Sequence, residues 1–142
     1  MEKNFAIILI SLAIIISCQA KVFQRCELVT ELRKQGFPEN QLRDWVCLVE
    51  NESSRNTAAK SRKNKDGSYD FGLFQINSRY WCSLTNTPGK GCKIVCNDML
   101  KDDITKASAC AKAVYKELGF SAWNAWKEDC KNKPLPDISV CK

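Results

Sequence analysis

Apolar side chains recur along this chain first at a helical period. Leu28, Val29 and Leu32 fall near one helical face, which predicts a helix over residues 25–35. Gly36 and Pro38 close it, and Leu42, Trp45, Val46 and Val49 form the stripe of a second helix over residues 39–52. A polar stretch over residues 53–64 interrupts the pattern. Asp66-Gly67 then gives a hairpin-turn signal, and the aromatic, β-rich run over residues 68–77 predicts a small antiparallel sheet. Residues 78–96 read as loop held by Cys82, Cys92 and Cys96. Ile104, Ala107, Ala111, Val114, Tyr115 and Leu118 predict a third helix over residues 104–118, with Asp103 as N-cap and Gly119 as stop. Ser121 is expected to cap a short fourth helix carrying Trp123 and Trp126. Trp45 and Trp126 lie on apolar stripes and read as core. The tail from Pro134 onward is expected to be irregular. The fold class that results is α+β, with helices on either side of a small sheet.

Residues 1–20 follow a different pattern. A short polar start, Glu2-Lys3-Asn4, precedes an apolar run over residues 5–16, and Ser17, Cys18, Gln19 and Ala20 supply small or polar residues near a cleavage point. That layout predicts a secretory signal removed after Ala20, with residues 21–142 as one domain exported from the cell. The run falls short of the roughly 18 to 20 apolar residues needed to span a bilayer, so no stable membrane insertion is expected. Cleavage discards Cys18 and leaves eight of the nine cysteines. An even count in a small exported chain predicts four disulfides. No Cys-x-x-Cys pair occurs, which counts against zinc.

Composition narrows the chemistry. The chain has no histidine, so Ser-His-Asp and Cys-His nucleophilic sites and histidine-liganded metals are excluded. Acid–base catalysis must come from carboxylates, Lys, Tyr or Cys. Lys plus Arg number 22 against 16 Asp plus Glu, a net charge of +6, which favours an anionic partner. The basic residues are interspersed with acids, and export argues against nucleic acid as that partner.

Two carboxylates stand out. Glu52 closes the apolar helix after Trp45-Val46-Cys47-Leu48-Val49, where the edge of a core can desolvate it and hold it protonated. Glu50 points away from it on a helix, and position alone does not say which of the two faces inward. Asp70 follows the hairpin turn, and on a strand it shares a face with Ser68 and Gly72 rather than with Tyr69 and Phe71. Polar neighbours should keep it ionised. A protonated and an ionised carboxyl side by side are what acid-plus-nucleophile chemistry requires.

The chain over residues 21–142 resembles the c-type (chicken-type) lysozymes, and invertebrate members most in pattern. The motifs that carry the resemblance run in order: Lys21-Val22-Phe23, Arg25-Cys26-Glu27-Leu28, Trp45-Val46-Cys47 and Glu52-Ser53. They continue with Asp66-Gly67-Ser68, Asp70-Phe71-Gly72, Gln75-Ile76-Asn77-Ser78-Arg79 and Trp81-Cys82. Asp103-Ile104-Thr105, Cys110-Ala111-Lys112, Ala122-Trp123 and Ala125-Trp126 complete the set. The resemblance implies a helical lobe and a β lobe with a cleft between them. It implies Glu52 as general acid and Asp70 as nucleophile or charge stabiliser. Trp123 would be the apolar wall beside Glu52, and Asn64 and Asn77 would hydrogen-bond Asp70. Gln75, Asn77, Tyr80, Trp81 and the backbone of Ala122 would line the sugar cleft. The implied reaction is a retaining hydrolysis of the β-1,4 bonds of bacterial peptidoglycan, with carboxyl groups about 5 Å apart, a spacing inherited from the family. The implied disulfides are Cys26–Cys141, Cys47–Cys130, Cys82–Cys96 and Cys92–Cys110, a choice that spacing alone leaves open among about a hundred pairings. No cofactor or metal is expected, and the enzyme should act as a monomer.

The chain also departs from the family pattern. Tyr80 stands where many members carry a second tryptophan, which removes one indole donor. The loop between Cys82 and Cys92 is shorter than in bird-type members. Lys116 and Glu117 occupy the region of an acidic distal-sugar contact, so no residue is assigned there. Lys101 and Lys106 stand where calcium-binding relatives need acidic ligands, leaving Asp102 and Asp103, which argues against calcium and against the non-catalytic lactalbumin-like branch. Asn51-Glu52-Ser53 is a glycosylation sequon that is expected to stay unoccupied. The rival to a muramidase is a cationic antimicrobial protein that binds envelopes without hydrolysis, and the basic run over residues 60–65 suits either. Defence is favoured over digestion on charge.

Overall fold

The computed structural model describes residues 21–142. The expected secretory signal lies outside the described residues. Among the described residues, four α-helices and one two-stranded sheet follow in the order α1 (Arg25–Lys34), α2 (Leu42–Ser53), β1 (Asp70–Phe71), β2 (Ile76–Asn77), α3 (Thr105–Leu118) and α4 (Asn124–Asp129). Single 3₁₀ turns at Glu39–Gln41, Cys96–Leu100 and Phe120–Ala122 connect them. The α+β class read from the apolar pattern is the fold observed.

α1 begins where Glu27 Oε1 accepts the Gln24 N–H at 3.0 Å, a reciprocal cap that satisfies an orphan donor. It ends at Gly36, whose φ of +80° turns the chain away. The second helix starts later than the stripe predicted, because residues 39–41 take a 3₁₀ turn before the α-helical ladder begins at Leu42. α2 is the central element. Leu42, Trp45, Val46, Leu48 and Val49 are all essentially inaccessible to solvent. Around Trp45 stand Phe37, Phe74, Tyr115, Phe120 and Trp123, with ring centroids 4.8 to 5.9 Å away and mostly edge-on, the favoured aromatic geometry. Trp126 is only half-buried. It stacks on Phe120 at 5.2 Å and its indole N–H donates to Asp44 Oδ1 at 2.9 Å.

Two helix starts differ from expectation. Asp103 does not occupy the N-cap of α3; Ile104 does, and Asp103 Oδ1 accepts the Thr105 N–H at 2.9 Å from one residue further out. Ser121 does not cap α4, because Trp123 interposes an extended residue (φ −105°, ψ 119°) between a 3₁₀ turn and the helix. The indole N–H of Trp123 donates to the Phe74 carbonyl at 2.7 Å, and this bond pins the break in place.

The sheet is short but has a third segment beside it. Asp70 pairs with Asn77 and Phe71 with Ile76, antiparallel. Lys60 bridges Phe71, the Ser61 N–H donates to the Asp70 carbonyl at 3.0 Å, and the Asn64 N–H donates to that of Ser68 at 2.8 Å. Asp66-Gly67 therefore does turn a hairpin, between residues 60–64 and 68–71. At the next turn only glycine fits: a Cβ on Gly72 would lie 2.2 Å from the Met99 carbonyl oxygen, and its φ is +78°.

Four disulfides close the molecule: Cys26–Cys141, Cys47–Cys130, Cys82–Cys96 and Cys92–Cys110. The C-terminal tail is irregular and held by Arg43, whose guanidinium donates to the carbonyls of Leu135 and Pro136 at 2.8 and 3.0 Å.

Candidate active site

α2 stops just past Glu52. Ser54 and Arg55 adopt left-handed conformations (φ 52° and 64°), and the buried Ser53 hydroxyl donates to the Leu73 carbonyl at 2.7 Å. This stitch ties the end of the helix to the turn between β1 and β2. It brings the last helical carboxylate to the boundary between the two halves. The ambiguity between the two glutamates is resolved by charge. Glu50 faces Arg25 at 2.9 Å and Arg55 at 3.5 Å on the surface, whereas Glu52 lines the cleft.

Burial pushes the Glu52 carboxyl up to about 7, against the pull of the Ala125 N–H, which donates to Oε1 at 3.3 Å. The negative charge of Asp70 adds to the rise, followed by Asp129 and Glu128. A carboxyl held this way carries a proton near neutrality and can donate it.

Asp70 faces the same cleft from the sheet, in a different environment. Asn77 Nδ2 donates to its Oδ1 at 2.9 Å and Asn64 Nδ2 to its Oδ2 at 3.2 Å, so each carboxylate oxygen has one amide. Both amides also donate to the Ser68 hydroxyl, at 2.9 and 3.0 Å, and that hydroxyl donates onward to Asp66. Asp66 is in turn held down to about 2, chiefly by the Ser68 hydroxyl and amide and then by Arg79 at 3.2 Å. Ser68 is the hub of the network. Its place on the Asp70 face followed from strand alternation, but its role emerges only from the two amides converging on it.

The cleft between these carboxylates encloses about 640 Å³. The wall from the sheet side includes Asn64, Gln75, Asn77, Tyr80 and Trp81; the helical side includes Ala122 and Trp123. Tyr80 is 61% exposed, with the Arg79 guanidinium 5.2 Å from its ring. Trp81 is half-buried, and the backbone of Gly91 lies so close that a Cβ there would come within 2.7 Å of its ring. Gln75 spends its amide N–H groups on the carbonyls of Gly72 and Ala59, at 3.0 and 3.1 Å, and braces the turn.

The same architecture is found in known proteins. A family model, the C-type lysozyme/alpha-lactalbumin family, matches residues 21–141. The chain belongs to this family. It is 61% identical to a lysozyme of Galleria mellonella over 85% of this chain and all of that one, and 57% identical to a lysozyme of Bombyx mori over 94% and 98%. The crystal structure of a canine milk lysozyme superposes with a TM-score of 0.78 at 39% identity, over 86% of this chain and 99% of that one. Such identity to named lysozymes over most of the chain supports a muramidase activity and makes the protein a glycoside hydrolase.

Within this lysozyme cleft, all nine residues singled out from the sequence line one continuous surface. Others were not foreseen. The Ala125 N–H donates to Glu52 directly, and Ser68 acts on Asp70 through the two amides that it accepts from. Lys65, Val114 and Leu118 also line the walls, and Leu118 is 55% exposed. Helical spacing placed Leu118 on the apolar stripe of the third helix, and it carried no signal of exposure because the pattern is blind to where a helix leaves the protein body. At the calcium-relative positions, Lys101 and Lys106 pair with Asp98 at 3.6 and 3.1 Å.

Proposed function

We propose that Glu52 and Asp70 hydrolyse the β-1,4 bond between N-acetylmuramic acid and N-acetylglucosamine in bacterial peptidoglycan, with retention of configuration. The observation that carries this reading is the opposed treatment of two carboxyls facing one cleft: Glu52 is buried and raised to about 7, whereas Asp70 receives two amide donors. Glu52 gives its proton to the glycosidic oxygen as the bond breaks. Asp70 meets the positive charge or forms the glycosyl bond on the opposite face, and Glu52 then takes a proton from the incoming water. Trp123 keeps the acid dry. Asn64 and Asn77 hold the Asp70 carboxylate in position, and Gln75, Asn77, Tyr80, Trp81 and the Ala122 backbone bind the sugars.

Residues 1–20 are a secretory signal on this reading, and residues 21–142 act outside the cell as a monomer. The net charge of +6 draws the enzyme to anionic walls and fits antibacterial defence better than digestion. Replacing Glu52 with Gln tests the assignment. Reducing-end release from isolated peptidoglycan should fall about a hundredfold or more, with the melting transition kept. Hydrolysis at the parent rate would overturn the acid assignment. Bacterial killing that survives in that variant would instead support the non-hydrolytic envelope-binding alternative.

A further inference from the structure

One motif has no part in the proposed chemistry. Asn51-Glu52-Ser53 is the single Asn-x-Ser/Thr triplet of the chain, and it lies in the last turn of α2 rather than on a surface loop. Each of its residues is tied down. The Asn51 side-chain amide donates to the Cys47 carbonyl at 2.8 Å, and its nitrogen lies 3.6 and 3.9 Å from the two sulfurs of Cys47–Cys130. Glu52 accepts the Ala125 N–H. The Ser53 hydroxyl is buried, 2.7 Å from the Leu73 carbonyl and 3.1 Å from that of Val49.

Helical geometry closes the triplet as well. A transferase must reach the asparagine amide and the hydroxyl two residues on together, yet on a helix those side chains diverge by about 200°. The groups that enforce this arrangement come later in the chain. Leu73 follows Ser53 by 20 positions, Ala125 follows Glu52 by 73, and Cys130 follows Asn51 by 79. At about 5–20 residues per second, synthesis leaves the triplet waiting roughly 4 to 16 s for Cys130, and disulfide pairing adds seconds or more.

We propose that Asn51 is an N-glycan acceptor in the unfolded chain alone, and that pairing of Cys47 with Cys130 closes it. This rests on the export reading above. In the transfer, the Asn51 amide nitrogen forms a bond to the anomeric carbon of an oligosaccharide carried on a polyprenyl diphosphate. The bond from that carbon to the diphosphate oxygen breaks, the lipid diphosphate leaves with the electron pair, and the amide proton passes to a base of the transferase. A glycan at Asn51 therefore marks chains in which α2 and α4 have not joined, and the folded enzyme carries none.

The direct test offers an oligosaccharyltransferase and a lipid-linked oligosaccharide to residues 21–142 in two forms. One is folded with its disulfides; the other is reduced, with alkylated cysteines. The reduced chain should gain the mass of the glycan, and Asn51→Gln or Ser53→Ala should abolish that gain. Transfer to the folded form should be about a hundredfold slower or more, because the end of α2 must first open. Equal rates on the two forms, or no transfer to the reduced chain, overturn the proposal. Expression of the full chain in eukaryotic cells then tests the closing bond. Cys47→Ser/Cys130→Ser should raise the glycosidase-sensitive fraction of all chains, retained and secreted, more than Cys82→Ser/Cys96→Ser does. An equal rise in both overturns the role of Cys47–Cys130. A full chain that keeps residues 1–20 and never leaves the cytosol overturns the export reading, whereas the transfer assay judges the acceptor site by itself.

Discussion

The two halves that meet at the cleft are stabilised in different ways, and each gives its carboxyl a matching environment. The helical half is built on burial: α2 has Trp45 at its centre with five aromatic rings around it, and Glu52 lies at the margin of that apolar mass. The hairpin half has two-residue strands, and much of its order comes from polar side chains such as Ser68, Asn64 and Asn77. Burial penalises charge and leaves Glu52 protonated near neutrality. A mesh of donors offers Asp70 a bond at each oxygen. On the mechanism proposed above, the difference between the two halves is the catalytic device as well as a structural one.

The strongest way to break the comparison is to remove the centre of the dry half. Trp45→Ala should cost about 3–5 kcal/mol, because the cavity cannot be refilled by rings already in contact. Urea unfolding would measure it. Tyr69→Ala, a half-buried ring on the hairpin side, should cost less than half as much; equal costs would mean that the two halves share one core. Disulfides sharpen the contrast next. Cys47–Cys130 spans 83 residues and ties α2 to the end of α4, whereas Cys82–Cys96 spans 14 within the loops. Removing the first should destabilise by about 1.5 kcal/mol more than removing the second, on loop-closure entropy.

On the hairpin side the expected loss falls on activity. Asn77→Ala deletes one donor to Asp70, and kcat should drop about tenfold while unfolding free energy changes by about 1 kcal/mol or less, since the open cleft lets water replace the bond. A matching loss in both would assign Asn77 to the scaffold alone. The smallest effect is electrostatic. The Asp70 charge disfavours ionisation of Glu52, so Asp70→Asn should move the Glu52 titration, followed by carboxyl carbon NMR, downward from about 7. In the parent, activity should fall as pH rises through about 7 and the acid loses its proton. The native state binds a proton at Glu52 that the unfolded chain, with its carboxyl near 4.5, has already released. Stability from this group is therefore complete below 4.5 and is lost as pH rises through about 7. Glu52→Gln should remove that slope.

The sequence made the helical half more legible than the hairpin half. Periodicity located α1, α2 and α3 within a few residues, because an amphipathic helix writes its buried face locally. The errors sit where tertiary bonds override local signals. Trp123 is held extended by the Phe74 carbonyl and splits what would have been one helix, and Glu39–Gln41 winds as 3₁₀ before α2 begins. In the hairpin half, strand alternation put Ser68 on the Asp70 face, yet nothing local said that Asn64 and Asn77 would share its hydroxyl.

By itself, then, the sequence determined what chemistry was available. Without histidine, acid–base chemistry was left to carboxyls, Lys, Tyr or Cys, and the order of motifs around Glu52 and Asp70 carried the resemblance to the family. The tertiary structure decided what surrounds each carboxyl. Glu50 and Glu52 are two residues apart on one helix and differ only in what folds against them: arginines pair the first, and the closing cleft takes water from the second. Desolvation is a property of neighbours brought from across the chain, so no local pattern of residues can encode it.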